Sequence, residues 1–81
     1  MKLSLKKLSQ ILLNEDIRYK LVCHIAATQG FETVRLDYAK AAEQLGVSVR
    51  TISRTVRHLA EDQLIVIEND KLRLSKTLAT V

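Results

Sequence analysis

The sequence predicts a mainly α fold with a small β-hairpin, an α+β domain whose three-helix core is preceded by an N-terminal helix. Three observations predict it. Apolar residues recur at helical spacing in four segments between Met1 and about Asp62. Two of these segments, residues 38–45 and 49 to about 62, are joined through Leu45-Gly46-Val47-Ser48, a connection tight enough for two crossing helices. Two β-prone runs, residues 64–67 and 71–74, then flank Glu68-Asn69-Asp70 as the arms of a hairpin.

The chain has 81 residues, enough for one small domain with a marginal core. With 47% hydrophobic and 27% charged residues it is too apolar to be disordered. No apolar run reaches the length of a membrane span and the N-terminus lacks a signal-peptide core, so a cytoplasmic protein is expected. Cys23 stands alone and is expected to be a small buried thiol on a helix.

In chain order, Met1, Leu5, Leu8 and Leu12 fall on a heptad-like seam. Under two heptads cannot form a coiled coil alone. The seam fits the end of a longer helix and equally an amphipathic helix packed on its own domain. Asn14, followed by Glu15 and Asp16, reads as the cap of a helix running to about Thr28, with Ile17, Leu21, His24, Ile25 and Thr28 on one face. A single helix over residues 3–28, bent near Asn14, fits as well. Gly30 is the expected stop. Residues 33–36 suit a short strand. Asp37 caps the helix over 38–45, where Ala39, Ala41 and Ala42 allow close helix approach, and Gly46 breaks it. Ser48 caps the next helix. The tail from residue 76 to 81 is expected to fray.

The net charge of +4 favours a polyanionic partner only weakly, so the placement of the charges matters more than their sum. At about 100° per residue, Ile52, Val56 and Leu59 project together from the helix after Ser48. Arg50, Arg54 and Arg57 project from the opposite side with Ser53 at their border, and no acid occurs between Gln44 and Ala60. A basic stripe opposite an apolar back, preceded by this turn, is the pattern of a recognition helix. Arginine can bond guanine O6 and N7 in parallel or pair with phosphate. The candidate DNA-contacting set is Ser48, Val49, Arg50, Ser53, Arg54, Arg57 and Lys71. Thr51 and Thr55 read as packing or backbone-bonding residues, and His58 as a surface residue. Lys71 and Arg73 suit either a solvated strand or a backbone contact, and Tyr38 and Lys40 open the helix that would cross the phosphates.

Catalytic constellations do not form. Glu15-Asp16 and Glu61-Asp62 are sequence neighbours, which do not face each other on a helix. Neither histidine has a partner at a telling spacing, and there is no glycine-rich phosphate loop. An enzyme is not expected.

From about Asn14 to Ser75 the chain resembles the C-terminal domain of the Crp/Fnr family of transcription regulators. Leu45-Gly46-Val47-Ser48-Val49-Arg50-Thr51-Ile52-Ser53-Arg54 and Leu59-Ala60-Glu61-Asp62-Gln63-Leu64-Ile65 carry the resemblance. It implies a winged helix-turn-helix over residues 14–75, with residues 1–13 as the end of a dimerisation-type helix. It also implies double-stranded DNA as partner, a homodimer in the full-length protein, and RNA polymerase as a further partner. No cofactor is expected in this chain, since the family's effector domain, a β-roll, has no counterpart here. The family commonly reads bases with an Arg, a Glu and a second Arg. Arg54 matches the last, whereas Val49 and Arg50 replace the others, so no target sequence carries over. Thr55 stands where an aliphatic residue is frequent, and Gln63 where Gly is. The rival reading is a winged helix used for protein–protein contact without DNA, with the Leu5/Leu8/Leu12 seam as its exposed patch.

Overall fold

Capping side chains decide where each helix begins, and the computed structural model, which describes residues 1–80, has one at every helix start. Strand β1 (Lys2–Leu3) leads into α1 (Leu5–Ile11), where the Ser4 hydroxyl accepts from the Lys7 N–H at 3.2 Å. The chain turns extended at Leu12, so the single bent helix over residues 3–28 does not form. Helix α2 (Ile17–Gln29) is capped by Asp16 rather than Asn14. The Asp16 carboxylate accepts from the Arg18 N–H at 2.8 Å and pairs with the Arg18 guanidinium at 2.7 Å. A full negative charge at the positive end of the helix dipole, itself held by an arginine, outcompetes a neutral amide.

Helices α3 (Tyr38–Leu45) and α4 (Val49–Glu61) start at Asp37 and Ser48 as the sequence predicts. The segment before α3 forms no strand of its own. Val34 alone pairs with Leu72, through hydrogen bonds of 3.0 and 3.1 Å. Strands β2 (Ile65–Glu68) and β3 (Lys71–Leu74) form an antiparallel hairpin with Glu68 opposite Lys71. Asn69 takes the positive φ of 60° that the two-residue turn requires. The first arm begins one residue later than expected because Leu64 belongs to the end of α4. There Gln63 sits at φ 63°, its N–H donates to the Ala60 carbonyl at 3.1 Å, and the Leu64 N–H donates to the Leu59 carbonyl at 2.9 Å. This pair of bonds is a Schellman termination, with Leu59 and Leu64 both buried in the core.

The expectation of a fraying tail is overturned for residues 76–80, Val81 lying outside the described residues. Ser75 caps a 3₁₀ turn (Lys76–Leu78), and β4 (Ala79–Thr80) pairs antiparallel with β1. Leu78 is fully buried, its carbonyl accepts from the Ser4 N–H at 2.7 Å, and the Lys7 ammonium donates to the Ala79 carbonyl at 2.8 Å. Residues 1–13, expected as the end of a dimerisation-type helix, are a strand and a two-turn helix. Leu8 and Leu12 enter the chain's own core, while Met1 and Leu5 are exposed. The leucine seam is split: Met1 lies before the helix, and Leu5, the first residue of α1, falls outside the side that buries Leu8.

The resulting α+β fold has four α-helices and the small hairpin among the described residues. Its core joins Leu21, Val22 and Ile25 of α2, Ala41 and Ala42 of α3, the inner side of α4, and Ile65, Leu72 and Leu74 of the hairpin. None of these helices is long and apolar enough to cross a membrane.

Two substitutions test this description. Gln63→Gly removes the side-chain strain of a left-handed residue and is expected to raise unfolding free energy by about 1 kcal/mol in denaturant titration. Leu78→Ala is expected to cost about 2–5 kcal/mol, where a frayed tail would leave stability unchanged.

Candidate nucleic-acid interface

The α3–α4 pair begins with a turn that only a left-handed residue can make. Gly46 adopts φ 68°, ψ 34°, its N–H donates to the Glu43 carbonyl at 3.3 Å, and the Val47 N–H reaches back to the Ala42 carbonyl at 3.0 Å. A side chain at that φ costs about 1–2 kcal/mol, which accounts for the glycine. Ser48 then opens α4: its hydroxyl accepts from the Thr51 N–H at 3.1 Å and lies 3.0 Å from the Thr51 hydroxyl. The Ser48 oxygen is therefore engaged in capping while remaining exposed.

Helix α4 divides cleanly. Ile52, Thr55, Val56 and Leu59 are buried. Thr55 shares the inner face with Val56, and its hydroxyl is satisfied by donating to the Thr51 carbonyl at 2.7 Å. That internal bond lets threonine occupy a position an aliphatic residue could fill. On the outer side Val49, Arg50, Ser53, Arg54, Arg57 and His58 are exposed. The far end of the helix is tied down by Arg18, which bridges Asp16 at 2.7 Å and Asp62 at 3.0 Å and so links the start of α2 to the end of α4.

Arginine pairing sets α4 apart. The chain has six arginines. Arg18, Arg35 and Arg73, outside α4, each meet a carboxylate, in the pairs Arg18–Asp16/Asp62, Arg35–Asp70 and Arg73–Glu68. Among the described residues Arg50, Arg54 and Arg57 form no ion pair. The stripe is acid-free because no Asp or Glu occurs between Gln44 and Ala60. Three exposed guanidinium groups without internal partners leave their donors free for an anion.

Comparison with family models, curated proteins and solved structures finds no match.

The predicted residues fall into two groups. Ser48, Val49, Arg50, Ser53, Arg54 and Arg57 lie along one exposed side of α4 or at its start, whereas Lys71 lies apart on the hairpin, also exposed. Ile67, which sequence reasoning missed, stands half-exposed beside α4. With Tyr38, Ser53, Val56, Arg57, Ala60 and Glu61 it lines an open groove of about 430 Å³. Strand alternation alone assigns Ile67 to the inner face with its partner Leu72; only the fold reveals that it sits at the rim. Tyr38, at the start of α3, borders the same groove as Arg57.

Elsewhere the chemistry is quiet. Cys23 is partly rather than fully buried, and burial pushes its thiol pKa up, away from thiolate reactivity. No three His, Cys, Asp or Glu side chains converge on a possible metal position among the described residues.

The Arg18 side-chain bond holds Asp16 below the usual carboxylate range. Its contribution to stability is complete above the unfolded value of about 3.9 and is lost as pH falls through the lower folded value. Acid titration of the folded fraction should accordingly be shallower below about pH 4 in Asp16→Asn than in the native chain.

Proposed function

We propose that this chain is a winged helix-turn-helix domain of the Crp/Fnr type that binds double-stranded DNA sequence-specifically, as part of a transcription regulator acting in the cytoplasm. The observation that carries this reading is the unpaired arginine stripe on a helix whose other side is locked into the core. In this reading residues 49–60 are the recognition helix and lie in the major groove. Arg50, Ser53 and Arg54 meet base edges, and Val49, half-exposed at the first turn, offers an apolar contact of the kind a thymine methyl accepts. Arg57 and Lys71 meet phosphates, and the Ser48 hydroxyl can add a backbone bond. The hairpin supplies the wing. The Val34–Leu72 pairing supports this, because it lays a third segment alongside the hairpin and fixes it to the helices.

Symmetric operators are read by two copies, and the dimensions suit this. The domain measures 32 × 28 × 22 Å, close to the roughly 34 Å of one helical turn that separates half-sites. Two copies can therefore sit side by side on one face of a duplex as a homodimer. Of the Leu5/Leu8/Leu12 patch offered for the protein–protein reading, Leu8 and Leu12 are core residues and Leu5 is exposed.

Selection of bound sequences from a random duplex pool, followed by titration over a salt series, tests the reading. Arg54→Ala should cost about 1–3 kcal/mol against the selected site and relax preference at one base position. Arg57→Ala should weaken all duplexes alike and flatten the salt slope by about one unit. Equal affinity for selected and random duplex at physiological salt would falsify sequence-specific recognition.

A further inference from the structure

The hairpin has two faces. Leu72 and Leu74 point into the core, so alternation places Lys71 and Arg73 on the opposite, outward face. Because Val34 pairs with Leu72, the next residue, Arg35, comes alongside Lys71, and three cations gather on one small surface. Two of them are occupied. Arg35 pairs with Asp70 in the turn, and the Arg73 Nε lies 3.9 Å from the Glu68 carboxylate. Lys71 forms no ion pair among the described residues. This arrangement is the inverse of α4, where cations stand without acids.

We propose that this outward face extends the Lys71 phosphate contact into a second phosphodiester-binding site, in which Arg35 and Arg73 are held in check by Asp70 and Glu68. The inference rests on the DNA-binding reading above and names a regulation of it. A phosphate reaching Arg35 must displace the tethered Asp70 carboxylate, and one reaching Arg73 meets the Glu68 carboxylate nearby, instead of a diffusible counterion. The displaced carboxylate stays nearby and repels the incoming phosphate. The Arg35–Asp70 pair is exposed, at 71% and 58%, and Glu68 is exposed beside a half-buried Arg73, so exchange is feasible. The net result is a hairpin that adds little to binding of arbitrary DNA and leaves discrimination to α4. Suppressing sequence-independent affinity raises the ratio of specific to non-specific binding without any new base contact.

The test uses the full chain and a fluorescent mixed-sequence duplex, with affinity measured over a salt series. Glu68→Gln combined with Asp70→Asn keeps side-chain shape and leaves both acids' positions occupied by turn-compatible amides. A thermal melt establishes that this variant is folded. It should bind about three- to tenfold more tightly at low salt. The dependence of log affinity on log salt should steepen by up to about two units, roughly 0.9 for each phosphate gained. Adding Arg35→Ala and Arg73→Ala in the same background should return both quantities to the native values. If the native chain binds and the acid-free variant matches it in affinity and slope, the second site is wrong while the α4 reading stands. A gain that survives removal of both arginines also overturns the site. If neither protein binds any duplex, both readings fall together.

Discussion

The burial of one side of α4 is the constraint on which the rest depends. Ile52, Thr55, Val56 and Leu59 fix the helix's rotation about its own axis, and a helix rotated by one residue would carry its arginines roughly 100° away. Burial alone would permit sliding along that axis. Gly46 and Ser48 stop it at one end, by a left-handed turn and a cap, and the Leu59–Leu64 termination with the Arg18–Asp62 bond stops it at the other. The turn before α4 and the turn after it use the same device, a carbonyl five residues back bonded from beyond the last turn of the preceding helix. The outer side chains inherit this fixity without taking part in it.

Electrostatics follow the same division of labour. Asp16 and Asp37 cap helix starts, while Asp62 at the end of α4 and Glu68 and Asp70 at the hairpin hold cations. None lies on the exposed side of α4 before Glu61. A modest excess of positive charge is thereby concentrated where nothing internal neutralises it, which matters more for an encounter with a polyanion than the overall sum.

Much of this was legible in the sequence, wherever local chemistry decides. Asp37, Gly46 and Ser48 act where spacing places them, and the apolar and basic sides of α4 separate as projection predicts. The hairpin was legible from its two arms and the Asn-Asp turn. What the sequence hid depends on contacts between distant residues. Asn14 and Asp16 are both good caps, and only the Arg18 partner favours Asp16. The order of residues 76–80 comes from Leu78 packing near α1 and from bonds to Ser4 and Lys7, more than seventy positions away in sequence. The leucine seam misled because spacing cannot show that Leu5, at the first position of α1, faces outward while Leu8 and Leu12 are buried. At the candidate site, the arginines were readable as a stripe, but their lack of partners was not. Nor was the rim position of Ile67, since alternation cannot tell where a sheet runs out.

The pairing of Lys2 with Thr80 has a consequence for topology. It brings the two ends of the described chain to adjacent positions of one antiparallel ladder, where opposite Cα atoms are only about 5 Å apart. A short peptide could therefore splice them into a closed ring, and a new opening could be cut elsewhere at an exposed bend such as Asn69–Asp70 without parting α3 from α4. The order in which the elements are strung is thus separable from the shape they build.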